Sequence, residues 1–159
     1  MEPHRQTWDT VQVVRFYIGT QQCALDIMKV KEIINPLTIV PIPHSPELVE
    51  GVVELRGAFL PVVDMRKRFG TPAAAPTRES KYVVAMLDSR YIALIVDRVL
   101  DVRRIALRDI DEAPALARGE AARFVAGLAK WDDEIALFLD LQQLFSDVER
   151  QALLHAAPA

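Results

Sequence analysis

The chain has 159 residues, 51% hydrophobic and 26% charged, a balance that excludes a disordered tail and points to a folded globular chain. Its formal net charge is -3, with Lys and Arg spread among Asp and Glu, so no basic face exists to neutralise a phosphate backbone and nucleic acid is not an expected partner. Apolar runs such as Ala58 to Val63 stop far short of the roughly 20 residues that span a bilayer, and Met1 to Arg5 lack the apolar core of a signal peptide, so a cytoplasmic chain is expected.

Val14, Phe16 and Ile18 share one phase with Arg15 and Tyr17 between them, which predicts a half-buried strand over 11–18. Gly19 to Gln22 reads as its turn, and Cys23, Leu25 and Ile27 predict the returning strand of a hairpin. Residues 29–34 read either as further strand or as one helical turn, and Asn35-Pro36 stops both. Pro36, Pro41, Pro43 and Pro46 then confine the chain to loop and edge strand, because each lacks a ladder donor. Ser45-Pro46-Glu47 has the form of a cap followed by proline at the first helical position, predicting a short turn that ends at Gly51.

Val52 to Leu55 and Phe59 to Val63 flank Arg56-Gly57 as a hairpin, after which Asp64 caps a brief helix over 65–69 that stops at Gly70. Thr71 to Thr77 holds two prolines and no apolar periodicity, and reads as an exposed connection between two structural halves. The next hairpin joins Tyr82 to Leu87 with Tyr91 to Val96 through Asp88-Ser89-Arg90, and 99–105 is read as its extension. Ala106 to Arg123, with Pro114, is expected to be more loop than strand. A last hairpin runs from Phe124 to Leu139 around Asp132-Asp133, and Ser146 with Glu149 forms a capping box for a C-terminal helix carrying Leu153 and Leu154.

Ala24 to Ile33 lies over Ala93 to Val102 without a gap, matching Ala, Leu, Val and the charge types. Gly51, Leu60, Val63, Asp64 and Phe69 fall likewise on Gly127, Ala136, Leu139, Asp140 and Phe145, so the chain reads as a doubled unit. About five short strands per unit leave two bare edges in an open sheet, and closing each sheet into a small barrel removes them. The expected fold class is mainly β: two similar five-stranded β-barrel subdomains side by side, with short helices and a C-terminal helix. The expected organisation is a tail over 1–10, a single domain over 11–145, and a C-terminal helix and tail over 146–159. Within the domain the first barrel is placed near 19–78 and the second near 79–145, with the strand over 11–18 assignable to either. Neither half buries much core alone, so Val30 with Ile33, and Val99 with Val102, are expected to pack between them, leaving a crevice as a docking surface.

Chemistry-bearing residues are sparse. Cys23 is the only cysteine, which excludes an intrachain disulfide and a thiolate zinc site, and it reads as a buried hydrophobe because no His or Lys flanks it. His4, His44 and His155 lack the short spacing that gathers metal ligands, so no metal and no cofactor is expected. Asp97, Asp101 and Asp140 are the carboxylates on which an enzymatic reading, a small hydrolase, would rest, although Asp97 and Asp101 read more simply as turn and edge residues.

Ala24 to Ile33, Gly51 to Gly57 and Leu60 to Arg66 together resemble the signature of the CheW family of chemotaxis coupling proteins, and Asp97 to Val102 resembles its later "VD-x-V-x-DV" element. The likeness runs in order from about Val11 to Phe145. It implies a non-enzymatic adaptor that binds the regulatory barrel domain of a CheA-type histidine kinase and the cytoplasmic tip of chemoreceptors, and is recruited to membrane-associated receptor arrays. Carried over by position, Ile39, Arg56 and Gly57 are the expected kinase-binding residues, and Val30, Glu32, Lys81 and Val102 the expected receptor-binding ones. Val30 and Val102, near-equivalent in the repeat, are expected to line an apolar groove for a helical tip, with Glu32 at its rim. One departure is Glu54, where the family usually has asparagine; its carboxylate, two residues before Arg56, is placed to pair with that arginine or to alter partner choice. A regulator of some other partner, such as a response regulator or a non-chemotactic kinase, is the second alternative.

Overall fold

The computed structural model describes residues 9–72, 75–112 and 121–156. Strands β1 (Thr10–Ile18) and β2 (Gln21–Asp26) form the first hairpin. The Asp26 carboxylate accepts the Met28 N–H and starts a single 3-10 turn, Ile27–Lys29, before β3 (Val30–Ile34), so the stretch read as strand or helical turn contains both in succession. Strands β4 (Val49–Leu55) and β5 (Ala58–Asp64) meet at Arg56-Gly57, and α1 (Met65–Phe69) follows with Asp64 accepting the Arg66 N–H as its cap. The turn expected to begin at Ser45 and end at Gly51 is present but shorter: it falls at Glu47-Leu48 and is closed by the Val49 N–H donating to the Pro46 carbonyl at 2.9 Å. Ser45 Oγ donates to the Ile42 carbonyl at 3.0 Å in place of capping it, and β4 begins at Val49, which puts Gly51 inside a strand.

The second half supplies β6 (Lys81–Leu87), β7 (Arg90–Val96) and β8 (Arg98–Ala106), then a 3-10 turn, Leu107–Asp109, and a short β9 (Ile110–Glu112). The region read as loop therefore holds one strand, which finds its ladder against β10; Pro114 lies outside the described residues. After α2 (Ala121–Phe124) come β10 (Val125–Trp131), β11 (Glu134–Leu139) and α3 (Asp147–Ala156). The capping box of α3 is formed: the Ser146 N–H donates to Glu149 Oε1 at 2.8 Å, and the Glu149 N–H donates to Ser146 Oγ at 3.1 Å.

The fold is mainly β, in two sheets of matching strand order: β8-β1-β2-β11-β10-β9 and β3-β6-β7-β5-β4. Hairpin β1-β2 takes in one sheet the place that β6-β7 takes in the other. The parallel contact of β2 with β11, Cys23 opposite Leu137, repeats that of β7 with β5, Ala93 opposite Val62. The duplicated units have exchanged hairpins. Each sheet takes a hairpin from one repeat and the remaining strands from the other, so the sheets do not divide at residues 78 and 79. The crossing strands are the cause: β3 leaves β2 to pair with β6, and β8 leaves β7 to pair with β1.

That exchange gives β1 a strand on each edge, β2 and β8, and β1 is buried on both faces as well, one in each of two apolar clusters. Val14, Phe16 and Ile18 enter a core shared by both sheets with Val83, Leu94 and Leu153, while Val13 packs on the other side with Ala24, Ile105 and Ala129. The expectation of a half-buried strand is thereby overturned, and Arg15 is only 6% exposed. Val30 and Val99 pack against the shared core as expected, whereas Ile33 and Val102 remain exposed. Cys23 is buried within it, and loss of solvent pushes its thiol pKa up, away from the reactive thiolate.

Candidate functional site

The β4–β5 turn is exposed and carries two of the expected docking residues, Arg56 and Gly57. Arg56 and Gly57 have φ of 50° and 84°, the consecutive left-handed pair that a two-residue hairpin of this twist demands. Of the other tight hairpins, β1–β2 puts Gly19 in the corresponding left-handed position and the remaining two put aspartate there, Asp88 and Asp132; glycine and aspartate tolerate that conformation. Arginine has no such advantage, so its presence at the turn is not explained by turn chemistry.

Glu32, on β3, holds the Arg56 guanidinium bidentately at 2.7 and 2.8 Å. The hydrogen bonds from Arg56, with lesser help from the charge of Lys31, keep the Glu32 carboxyl below the ordinary carboxylate range, and Glu32 raises the Arg56 pKa in return. The Arg56 side chain nevertheless keeps 66% of its exposure, so its fork remains open to a partner. Beside the pair, Lys31 Nζ lies 4.3 Å from the centre of the Tyr91 ring, and a shallow cavity of about 170 Å³ runs between Leu55, Leu60 and Val84. Glu54 lies across the strand from Phe59 and is not the partner of Arg56; a carboxylate 24 residues away in sequence takes that role.

The other expected residues are distributed as follows. Val30 opposes Ala85 and Glu32 opposes Val84, so Lys31 is the extra residue of a bulge, and it puts Val30 and Ile33 on the same face although they are three apart. Lys81 lies at the far end of the same ladder, with Nζ donating to Asn35 Oδ1 at 2.7 Å. Ile39 sits on the extended segment next to β4, half-buried against Leu60 and Tyr82, where the Val40–Val52 bridge anchors it. Val102 is on the edge strand of the other sheet, opposite Val14, and its repeat counterpart is Ile33 and not Val30. The two expected sets thus meet at one ion pair, Glu32 with Arg56, while Val102 stands apart on β8.

The carboxylates considered for catalysis are engaged in the framework. Asp97 accepts the Gly19 N–H at 2.5 Å where the chain passes from one sheet to the other, and Asp140 caps the 3-10 turn Leu141–Gln143 by accepting the Gln142 N–H at 3.0 Å. Asp101 is gripped by both arms of the Arg15 guanidinium at 2.6 Å. Arg15 Nη1 also donates to Glu134 and Gln22, and its guanidinium carbon stands 4.8 Å from the centre of the Trp131 ring. Sequence reading missed this cluster by assigning Arg15 to a solvent face. The available sign was that Val11 and Val13, on the same phase, are apolar.

The chain matches the CheW-like domain family over residues 12–149. It belongs to that family. A chemotaxis protein CheW of Rhizobium meliloti is 36% identical over 89% of this chain and 91% of its own length. The CheW of Thermotoga maritima is 30% identical over 86% of this chain and 89% of its own. The crystal structure of the scaffolding protein TtCheW from Thermoanaerobacter tengcongensis superposes with a TM-score of 0.81 at 31% identity, covering 89% of this chain and 96% of that one. The CheW-like match ends at residue 149, inside α3. Among the described residues of this CheW-like chain no helix is long and apolar enough to cross a membrane.

Proposed function

We propose that this CheW-like chain is an adaptor that couples methyl-accepting chemoreceptors to a CheA-type histidine kinase by binding alone, as one coupling domain over 11–145 that is recruited to receptor arrays. One observation carries the assignment of roles: an exposed arginine, in a turn conformation that does not favour arginine, is clasped by the carboxylate of the neighbouring sheet-edge strand. Arg56, Gly57 and Ile39 form the kinase-facing group, and Val30, Glu32, Lys81 and Val102 the receptor-facing group. A kinase carboxylate or carbonyl competes with Glu32 for the Arg56 fork, and a receptor that engages Glu32 changes what Arg56 offers. Family membership supports affinity in place of catalysis, as does the structural engagement of Asp97, Asp101 and Asp140.

The test is capture of the purified regulatory domain of a CheA-type kinase by the full chain. Arg56→Ala and Arg56→Glu weaken capture with the fold intact, and capture unaltered by both would remove Arg56 from the interface. The second reading, a CheW-like regulator of another partner, draws on the carboxylate of Glu54 beside exposed Phe59 on the same hairpin face. A folded chain that ignores every such kinase but binds a response regulator would establish it.

A further inference from the structure

One edge strand of each sheet, β3 and β8, carries a bulge at the same point of the repeat. In β3 the extra residue is Lys31; in β8, Asp101 opposes Arg15 and Val99 opposes Phe16, so the extra residue is Leu100. Side chains three apart on a regular strand point to opposite faces. The β8 bulge reverses this and brings Val99 and Val102 to one face, the first against the shared core and the second into solvent. Directly after each bulge stands a carboxylate, Glu32 or Asp101, and each is held by both arms of an arginine.

The arginines differ in what else they can do. Arg56 comes from an exposed turn. Arg15 comes from the middle of the neighbouring strand, its side chain 7% exposed, with remaining hydrogen bonds to Gln22 and Glu134 and Trp131 against its plane. An arginine so enclosed has no fork left for a partner, and a bidentate pair between directly opposed residues fixes the register at the bulge.

We propose that Arg15 is a positioning residue: through Asp101 it holds the β8 bulge and thereby presents Val102 beside Val99 for receptor contact, while the matching pair on β3 stays open to exchange. The inference rests on the receptor role proposed for Val102. It assigns unlike duties to the two repeats, a fixed edge on β8 and a yielding one on β3.

The experiment uses the full chain with two immobilised ligands, a receptor-tip fragment and the kinase regulatory domain, together with amide hydrogen exchange. Asp101→Asn and deletion of Leu100 are expected to lower receptor capture about tenfold or more while kinase capture stays within about twofold. Exchange over 98–104 should accelerate while β6 and β7 keep their protection. Asp101→Glu, which keeps a bidentate carboxylate, should recover most of the receptor capture. Arg15→Leu should behave as Asp101→Asn does; if it fails to fold, the partly exposed Asp101 still carries the test. A role confined to stability moves both captures together and overturns the proposal, as does receptor capture that survives Asp101→Asn and the deletion but not Val102→Asp. Unchanged capture by Val102→Asp overturns the receptor reading itself, and unaltered exchange over 98–104 in Asp101→Asn then overturns the bulge lock separately.

Discussion

Gly51→Ala is expected to destabilise the protein by about 3–4 kcal/mol. A methyl group on Gly51 collides with the backbone carbonyl oxygen of Val40 and comes within 2.8 Å of Ile39 Cγ2, and Gly51 itself has a φ of 147°. Relief requires the Val40 segment to withdraw, which breaks the two bridge hydrogen bonds between Val40 and Val52, at 2.8 and 2.9 Å. Two backbone bonds contribute about 1 kcal/mol each, and holding an L residue at that φ costs about 1–2 kcal/mol more. Urea unfolding followed by circular dichroism, extrapolated to water, measures the loss. Gly127, the repeat counterpart, also abuts a carbonyl, that of Asp111, but has no positive φ, so Gly127→Ala should lose less. A loss below about 1 kcal/mol for Gly51→Ala, or the reverse order of the two variants, would refute the close-approach argument. Because the withdrawn segment carries Ile39, kinase capture should also weaken for Gly51→Ala under conditions where the protein remains folded.

Glu54→Asn, which restores the usual family residue, should leave the Glu32–Arg56 pair intact and change kinase capture less than Arg56→Ala; an equal or larger effect would make Glu54 a direct contact. Arg15 hydrogen bonds hold both Asp101 and Glu134 below the ordinary carboxylate range. Their native pKa values lie below the unfolded ones near 4, so the stability they contribute is complete above pH ~4 and fades as pH falls through the native values. Both carboxylates are more than one-third exposed, so solvent screening keeps the effect modest, and Arg15→Leu should flatten stability against pH between about 5 and 3; unchanged slopes would count against the pairing. Leu153 is wholly buried in the shared core, and Leu153→Ala should cost about 2–5 kcal/mol by urea unfolding, whereas a near-neutral result would mean that α3 does not close that core.

Local chemistry made most elements readable in the sequence. Asp64 and Gly70 bound α1, Ser146 and Glu149 open α3, and Arg56-Gly57 turns a hairpin, because each depends on residues a few positions apart. The repeat was readable too, since Gly51 and Gly127 meet the same steric demand in both halves. What remained hidden depends on distant pairing. Nothing near Val30 or Arg98 announces that β3 and β8 cross to the opposite sheet, and without that exchange β1 looks like a strand with one wet face. Arg15 therefore reads as a solvent-facing residue, and Glu54, near in sequence, as a partner for Arg56, although Glu32 is the one that reaches it in space. The docking residues came from the family resemblance, and their convergence on one ion pair became visible only with β3 laid beside the β4–β5 turn.

The most direct test of coupling is sedimentation velocity on a mixture of this chain, the kinase regulatory domain and a receptor-tip fragment, each singly distinguishable by absorbance label. The adaptor account predicts one boundary containing all three, lost to a kinase-free complex with Arg56→Glu and to a receptor-free complex with Val102→Asp. Binding of the two partners only in turn, each expelling the other, would contradict it.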